Sequence, residues 1–402
     1  MPTRRRVPVW LMGLTNLSYG LYGGAIAFAI PQLLGARQVP EATIAGLTAV
    51  AISPGFWAFL LSPVLDVRFS RRFYAVALSV FAALTLVVAF LSLGNLVLLE
   101  VVLTAGFFAA YLFQSALGGW LSSITSAEEE NQVSVWITIG NTGGFSLMAI
   151  GCNQIVRHLS PLSAAIVLAA ATLVPIIPFP FMQAPGPDRR LAGESFTQFF
   201  GDLVSLAKRR EVLVALALFI SPAATFSLTN FLGGRGSDFH ASSGFVGLVG
   251  GAGVALGGIA GCLIFPALSR LLPLRPFYLA VGVAGAVCTL SLIPLPRVPA
   301  SFAIVLIAEN LFQCLAITAC TAITFETIGQ NNPLASTTFC FLGSAYGVPI
   351  SYMLYVDAFG FARKGISGAL GIDAVTGIVA SVLLGLMLYS LTRKSKPRLS
   401  QA

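Results

Sequence analysis

Ser62-Pro63-Val64-Leu65-Asp66-Val67-Arg68-Phe69-Ser70-Arg71-Arg72 is one of the few charged stretches in this chain, and it is short. Apolar runs flank it at 42–65 and 73–94. Each is long enough to cross a hydrocarbon core, which takes roughly 20 predominantly apolar residues. A connection this tight joins two antiparallel membrane helices. The pattern extends outward along the whole chain. Only 9% of the 402 residues are Asp, Glu, Lys or Arg, and 56% are hydrophobic, whereas soluble domains run at about a quarter charged. Further spans are expected near 8–33, 96–123, 133–156, 162–182, 212–233, 243–268, 276–294, 300–325, 333–357 and 373–391. The chain therefore reads as an all-α membrane protein of twelve transmembrane helices, with no length left for a soluble domain.

Charge sets the expected orientation. The net charge of +8 invites a nucleic-acid reading, but the positions of the charges fit topology instead. With a cytoplasmic N-terminus, Arg37, Arg157, Arg235, Arg297, Arg363 and Lys364 fall outside, and the other seventeen of the 23 basic residues fall inside. These include Arg4 to Arg6, Arg189, Arg190, Lys396 and Arg398. This is the positive-inside asymmetry, with both termini cytoplasmic. The first apolar span is much longer than a signal-peptide core and reads as an uncleaved helix. The six cysteines all fall inside spans without a CxxC pair, so neither disulfides nor a metal site is expected.

The longest polar interruption is 183–211. It opens with the linker composition Pro185-Gly186-Pro187-Asp188-Arg189-Arg190. Phe196, Phe199, Phe200, Leu203 and Leu206 then recur at helical spacing, with Ser195 as the expected cap, as in a helix lying on the membrane surface. The segment divides the chain into six-helix bundles at 1–182 and 212–402. The halves echo each other. Asn131-Gln132-Val133-Ser134 opens the fifth span as Asn332-Pro333-Leu334-Ala335-Ser336 opens the eleventh, and Leu14-Thr15-Asn16-Leu17 resembles Leu228-Thr229-Asn230-Phe231. Internal duplication in a membrane protein points to a transporter whose site lies between the halves. Glycines four apart in the eighth span, among them Gly253, Gly257 and Gly261, let helices approach closely.

Glu309 lies mid-span in Val305-Leu306-Ile307-Ala308-Glu309-Asn310-Leu311-Phe312-Gln313. An ionised carboxylate there is costly, so it is expected to face a cavity or carry a proton. It is the first candidate for proton coupling. Glu100, one turn into the fourth span, is the second. Glu326 and Asp357 are expected at helix ends, solvated or capping. The candidate cavity is polar and aromatic: Asn16, Tyr19 and Tyr22, then Gln114, Trp120, Trp136 and Asn141, and in the second half Asn230, Asn310, Gln313, Tyr346 and Tyr352. Asp66, Arg68, Arg71 and Arg72 form a candidate cytoplasmic gate, because charge-assisted hydrogen bonds to neighbouring helix ends can lock one conformation. No catalytic set, metal cluster or ATP-binding loop is visible, so an enzyme is not expected and no cofactor is implied.

These features together resemble the major facilitator superfamily over essentially the whole chain. Within it, Ser62 to Arg68 and Glu309-Asn310 look most similar to the branch of muropeptide permeases and acetyl-CoA transporters, with related siderophore importers. That branch's acidic pattern in the fourth span is absent from Gln114 to Trp120, and the Gly-Pro signature of drug antiporters is absent from Gly140 to Phe145. The resemblance implies two pseudo-symmetric six-helix bundles and alternating access. It implies a proton-coupled importer of a mid-sized polar solute, monomeric, in a bacterial inner membrane, with membrane lipid but no nucleic acid as partner. An exporter of drugs or metabolites and a non-transporting scaffold stay open.

Overall fold

The apolar runs fold as helices because a chain in hydrocarbon must satisfy its backbone hydrogen bonds within itself. The computed structural model describes residues 7–184, 196–329 and 332–395. The expectations placed on Arg4 to Arg6, Pro185 to Arg190, Ser195, Lys396 and Arg398 lie outside the described residues, as do those on the side chains of Phe196, Phe199 and Phe200. The first half is built of α1 (Val9–Ala36), α2 (Glu41–Leu60), α3 (Arg71–Leu91), α4 (Leu96–Ile124), α5 (Glu130–His158) and α6 (Pro161–Phe181). Three of them start on side chains that accept a first-turn N–H: Ser70 at α3, Asn95 at α4 and Ser160 at α6. Large apolar side chains such as Val97 and Phe181 stay exposed, as expected of a surface facing lipid.

A helix at Phe196–Ala207 (α7) precedes the second half. The seventh span is not one helix. It is α8 (Arg210–Ile220) and α9 (Leu228–Leu232), separated by seven residues. Pro222 supplies no donor there, and Ala224 and Phe226 take positive φ, 141° and 50°. This corrects the continuous span expected at 212–233. Then come α10 (Gly244–Leu268), α11 (Leu274–Leu292) and α12 (Pro299–Ile328). The predicted glycine spacing seats α10 against α12: a Cβ on Gly257 would lie 2.8 Å from the Ile307 carbonyl oxygen.

The last two spans form a hairpin rather than a pair joined by the loop expected at 358–372. Helix continues through Ala335–Ser395 except at Lys364 and Gly365, where Gly365 has φ 59°. We call the arms α13 (335–363) and α14 (366–395). Gly360 and Gly368 bring the two backbones together, since a Cβ on Gly360 would lie 2.9 Å from the carbonyl carbon of Gly368.

Among the described residues, the buried cores of the two halves mix at one end. The first-half core takes in Phe325, Ile328, Phe339 and Cys340 from α12 and α13. A second-half core takes in Val135 and Ile139 from α5. Both intrusions lie at the end where α12 finishes and α13 begins. At the other end, the core around Phe239, Phe302 and Leu370 is drawn from the second half alone. The bundle is thus knit together at the end where α1 begins and α14 finishes.

Candidate functional site

At the knit end, Asp66 sits just beyond α2, only 2% exposed. Its carboxylate accepts from Arg71 Nε at 2.9 Å within its own half. From the other half it accepts from the backbone N–H groups of Ser336 and Thr337 at 3.2 and 2.8 Å, and from Thr337 Oγ1 at 2.8 Å. These are the unpaired first-turn donors of α13, so the acid caps a helix belonging to the opposite half. Arg71 completes the lock. It donates to the Gly119 carbonyl at 3.3 Å and to those of Asn332 and Pro333 at 3.1 and 3.2 Å. The other two expected gate residues stay outside it. Arg68 is exposed over the Phe69 ring, 5.4 Å from its centroid, and Arg72 is half-buried beside it.

Further along the interface, Tyr111 OH lies 3.3 Å from Ser344 Oγ, joining α4 to α13. Tyr19 packs on Tyr111 with centroids 6.1 Å apart. Thr142 and Cys314 approach within 3.6 Å between α5 and α12, and Asn310 lies beside them around Gly258. Asn310 also donates to the Val254 carbonyl. Gln114, Asn141 and Tyr346 each keep a buried oxygen without a partner among the described residues.

Several expected cavity residues sit elsewhere. Tyr22 is packed in the first-half core, with its OH 3.1 Å from Thr85 Oγ1. Trp120 is fully buried and donates to the Gln183 carbonyl at 3.0 Å. Asn16 braces α1 to α5 by donating to the Ile137 carbonyl at 3.2 Å. These hydrogen bonds all lie inside the first half or reach the residue that follows it. Trp136 lines a groove of about 360 Å³ with Trp10 and Gln132 at the knit end, not the middle. Asn230 is exposed. Gln313 accepts from Thr229 Oγ1 at 3.1 Å, and Tyr352 donates to the Ile220 carbonyl at 2.8 Å, so both tie neighbouring helices to the broken seventh span. Glu100 is half-buried in the first half, near the start of α4.

Glu309 is 2% exposed and its Oε2 has no partner among the described residues. Its Oε1 contacts Thr289 Oγ1, which is also 3.0 Å from the Gly285 carbonyl. One hydroxyl carries one proton and cannot donate to both oxygens. A protonated Glu309 donating to Thr289 satisfies the pair. A second acidic site stands nearby in the same half. Ser227, in the break of the seventh span, lies 2.6 Å from Asp357 Oδ2 and 3.4 Å from Asp373 Oδ1. Asp357 is fully buried, its Oδ1 unpartnered among the described residues. The hairpin corrects the expected helix-end position of Asp357: α13 runs six residues past it. Among the described residues the three acids have no basic ion-pair partner, and no three or more His, Cys, Asp or Glu side chains are grouped so as to hold a metal ion. Again a single hydroxyl faces two carboxyls, so a proton shared within the site completes the bonding.

Sequence reasoning missed Asp373, Ser227, Thr289 and Tyr111. A signal for Asp373 was present. Arg363 and Lys364 sit beside Gly365, a compact turn flanked by apolar residues, and a turn there puts Asp357 and Asp373 at equal depth.

In sequence, the chain matches no family model and no curated protein. In structure it is similar to the E. coli fucose:proton symporter FucP, with 13% identity, TM-score 0.69, and 94% of this chain and 97% of that one covered. It is similar to a bacterial homologue of the iron transporter ferroportin in its outward-facing state, at 14% identity and TM-score 0.61, covering 96% and 98%. The human organic anion transporter MFSD10 matches at 17% identity and TM-score 0.70, covering 96% and 100%. The chain thus has the major facilitator fold.

Proposed function

We propose that this chain is a proton-coupled secondary transporter that works by alternating access between its halves, 1–182 and 212–402, joined by 183–211. The observation that carries the reading is the set of buried carboxyls without a basic partner among the described residues, Glu309 with Asp357 and Asp373. A carboxyl kept in apolar surroundings is stable when protonated and costly when ionised. Loading and releasing a proton there changes the energy of burying the site, and that is what coupling requires. The structural neighbours include a protein described as a fucose:proton symporter, and this agrees with the reading.

The geometry suggests how the proton couples to the lock. Ser336 and Thr337, which grip Asp66, begin α13, and Asp357 lies on the same helix 20 residues on, about 30 Å along the axis. A shift of α13 when Asp357 gains or loses its proton is therefore felt at Asp66. The state described is locked at the knit end, which the charge distribution assigns to the cytoplasm. Solute and proton enter from the opposite side, the lock opens, and the loaded halves rock. Direction is import, of a mid-sized polar solute resembling a muropeptide or siderophore, by a monomer in a bacterial inner membrane.

The test is a thermal-shift screen of the purified protein with anhydro-muropeptides, ferric siderophores, acyl-CoAs and common drugs. A ligand bound only by the folded state at a hundred times its dissociation constant stabilises it by about 2.7 kcal/mol. The hit is then assayed for uptake driven by a pH gradient in proteoliposomes. Uptake that ignores the gradient would sink the coupling. A current driven outward by substrate would instead indicate an exporter.

A further inference from the structure

A groove of about 550 Å³ opens on the side of the second half, between α11 and α14. It is separate from the carboxyl sites and from the lock. Its walls are mainly apolar, with Leu279 and Val283 on one side and Val382, Gly385 and Leu388 on the other. It runs from Leu274 to Val283 along α11, nine residues or about 13 Å. That is close to half of the roughly 30 Å hydrocarbon core, the depth of one leaflet.

The mouth is polar. Arg275 pairs with Glu326 at 2.8 Å, and its Nε is buried with no partner among the described residues. Arg210 donates to the Leu391 carbonyl at 3.3 Å, two residues beyond Tyr389 on the rim. Arg270 is exposed three residues before Pro273, which also lines the groove. Glu130 lies within electrostatic reach of Glu326, so three arginines face two glutamates and the mouth keeps one net positive charge. Deeper in, Ser381 lines the groove, 2% exposed, with its Oγ unpartnered among the described residues.

We propose that this groove binds one anionic phospholipid of the leaflet at the knit end. An acyl chain fills the space between α11 and α14 as far as Ser381, and the phosphate rests at Arg275 with Arg210 and Arg270 around it. An apolar groove open to the bilayer is filled by the chains that surround it, and the basic mouth selects the headgroup. The site has a mechanical consequence. Glu326 ends two residues before the close of α12, just ahead of the segment whose Asn332 and Pro333 carbonyls hold Arg71. A phosphate competing for Arg275 loosens the Arg275–Glu326 pair next to the lock.

The site needs only the membrane setting, so its test needs no substrate and stands apart from the transport reading. The full chain, delipidated in detergent, is titrated with palmitoyl-oleoyl phosphatidylglycerol or the matching phosphatidylethanolamine, and bound lipid is counted by native mass spectrometry. Wild type should hold one phosphatidylglycerol roughly fivefold more tightly than phosphatidylethanolamine, the ratio expected of one basic residue. Arg275→Gln should bring the two lipids level. Gly385→Leu should remove both, because a Cβ there makes only ordinary contact, 3.9 Å from Leu279, and the rest of the side chain enters the groove. Gly385→Leu fills open space and should leave the lipid-free melting temperature in place, and Arg275→Gln should keep its phosphatidylethanolamine binding, so neither loss reads as unfolding. Equal affinity of wild type for the two lipids, a preference for phosphatidylethanolamine, or phosphatidylglycerol binding untouched by Gly385→Leu would each overturn the proposal.

Discussion

Asp66 and Glu309 are both buried acids, and their partners give them opposite roles. Asp66 accepts four hydrogen bonds from cationic, hydroxyl and helix-end donors. Asp66→Asn keeps the shape but loses the charge, and should cost about 1–2 kcal/mol of the lock. Hydrogen exchange at the Ser336 and Thr337 amides reports it directly: the variant should exchange faster there, and unchanged protection would show that the cap does not close this end. Glu309 has instead a hydroxyl neighbour and an oxygen without a partner among the described residues. In Glu309→Gln the amide can still donate to Thr289, so folding should be kept, while the exchangeable proton is gone. Uptake should lose its dependence on the pH gradient, with substrate counterflow intact. Gradient-driven uptake at the wild-type rate would remove Glu309 from the coupling. Both residues were legible in the sequence because a charge in an apolar run has to be accounted for. Ser227 and Thr289 were not, since a hydroxyl is ordinary in a membrane helix and acquires meaning only from the acid beside it.

At the scale of elements, apolar run length located most spans to within a few residues, as at Leu96–Ile124 against the expected 96–123. It failed where backbone hydrogen bonding, not hydropathy, decides. The seventh span is apolar enough throughout, yet it breaks where Pro222 lacks a donor and Ser227 bonds to Asp357. The α13–α14 turn needs only Lys364 and Gly365, so the residues read as a loop are helix. That tight turn is what brings Asp357 and Asp373 together. Gly360→Leu should therefore disturb the acid pair without touching it, because the side chain would meet the opposing backbone at Gly368. Such overpacking typically costs 1–3 kcal/mol or more. The melting temperature of the purified variant should fall, and Gly371→Leu, on the same hairpin with no neighbour closer than 4.0 Å, should serve as the tolerated control. Equal behaviour of the two would show that the hairpin is not closely packed.

For the whole molecule, the decisive asymmetry is that the halves interlock at one end and keep a separate core at the other. If the protein works by rocking, the interlocked end must come apart in each cycle. Ser62 and the native Cys340 offer a way to forbid this. Ser62 follows α2, Cys340 belongs to the first turns of α13, and both are buried where these two segments pack across the interface. Ser62→Cys changes one atom and sets two thiols at that contact. Oxidation should then tie the halves where Asp66 and Arg71 already hold them. A bridge closing a loop this long adds stability of about 2–4 kcal/mol, so the oxidised variant should melt higher than the reduced one. Transport should stop on oxidation and return with reductant, while ligand binding from the open side persists, since the bridge fixes the state described. A variant that is fully cross-linked and still transports would mean that this end never opens, and alternating access through it would have to be abandoned.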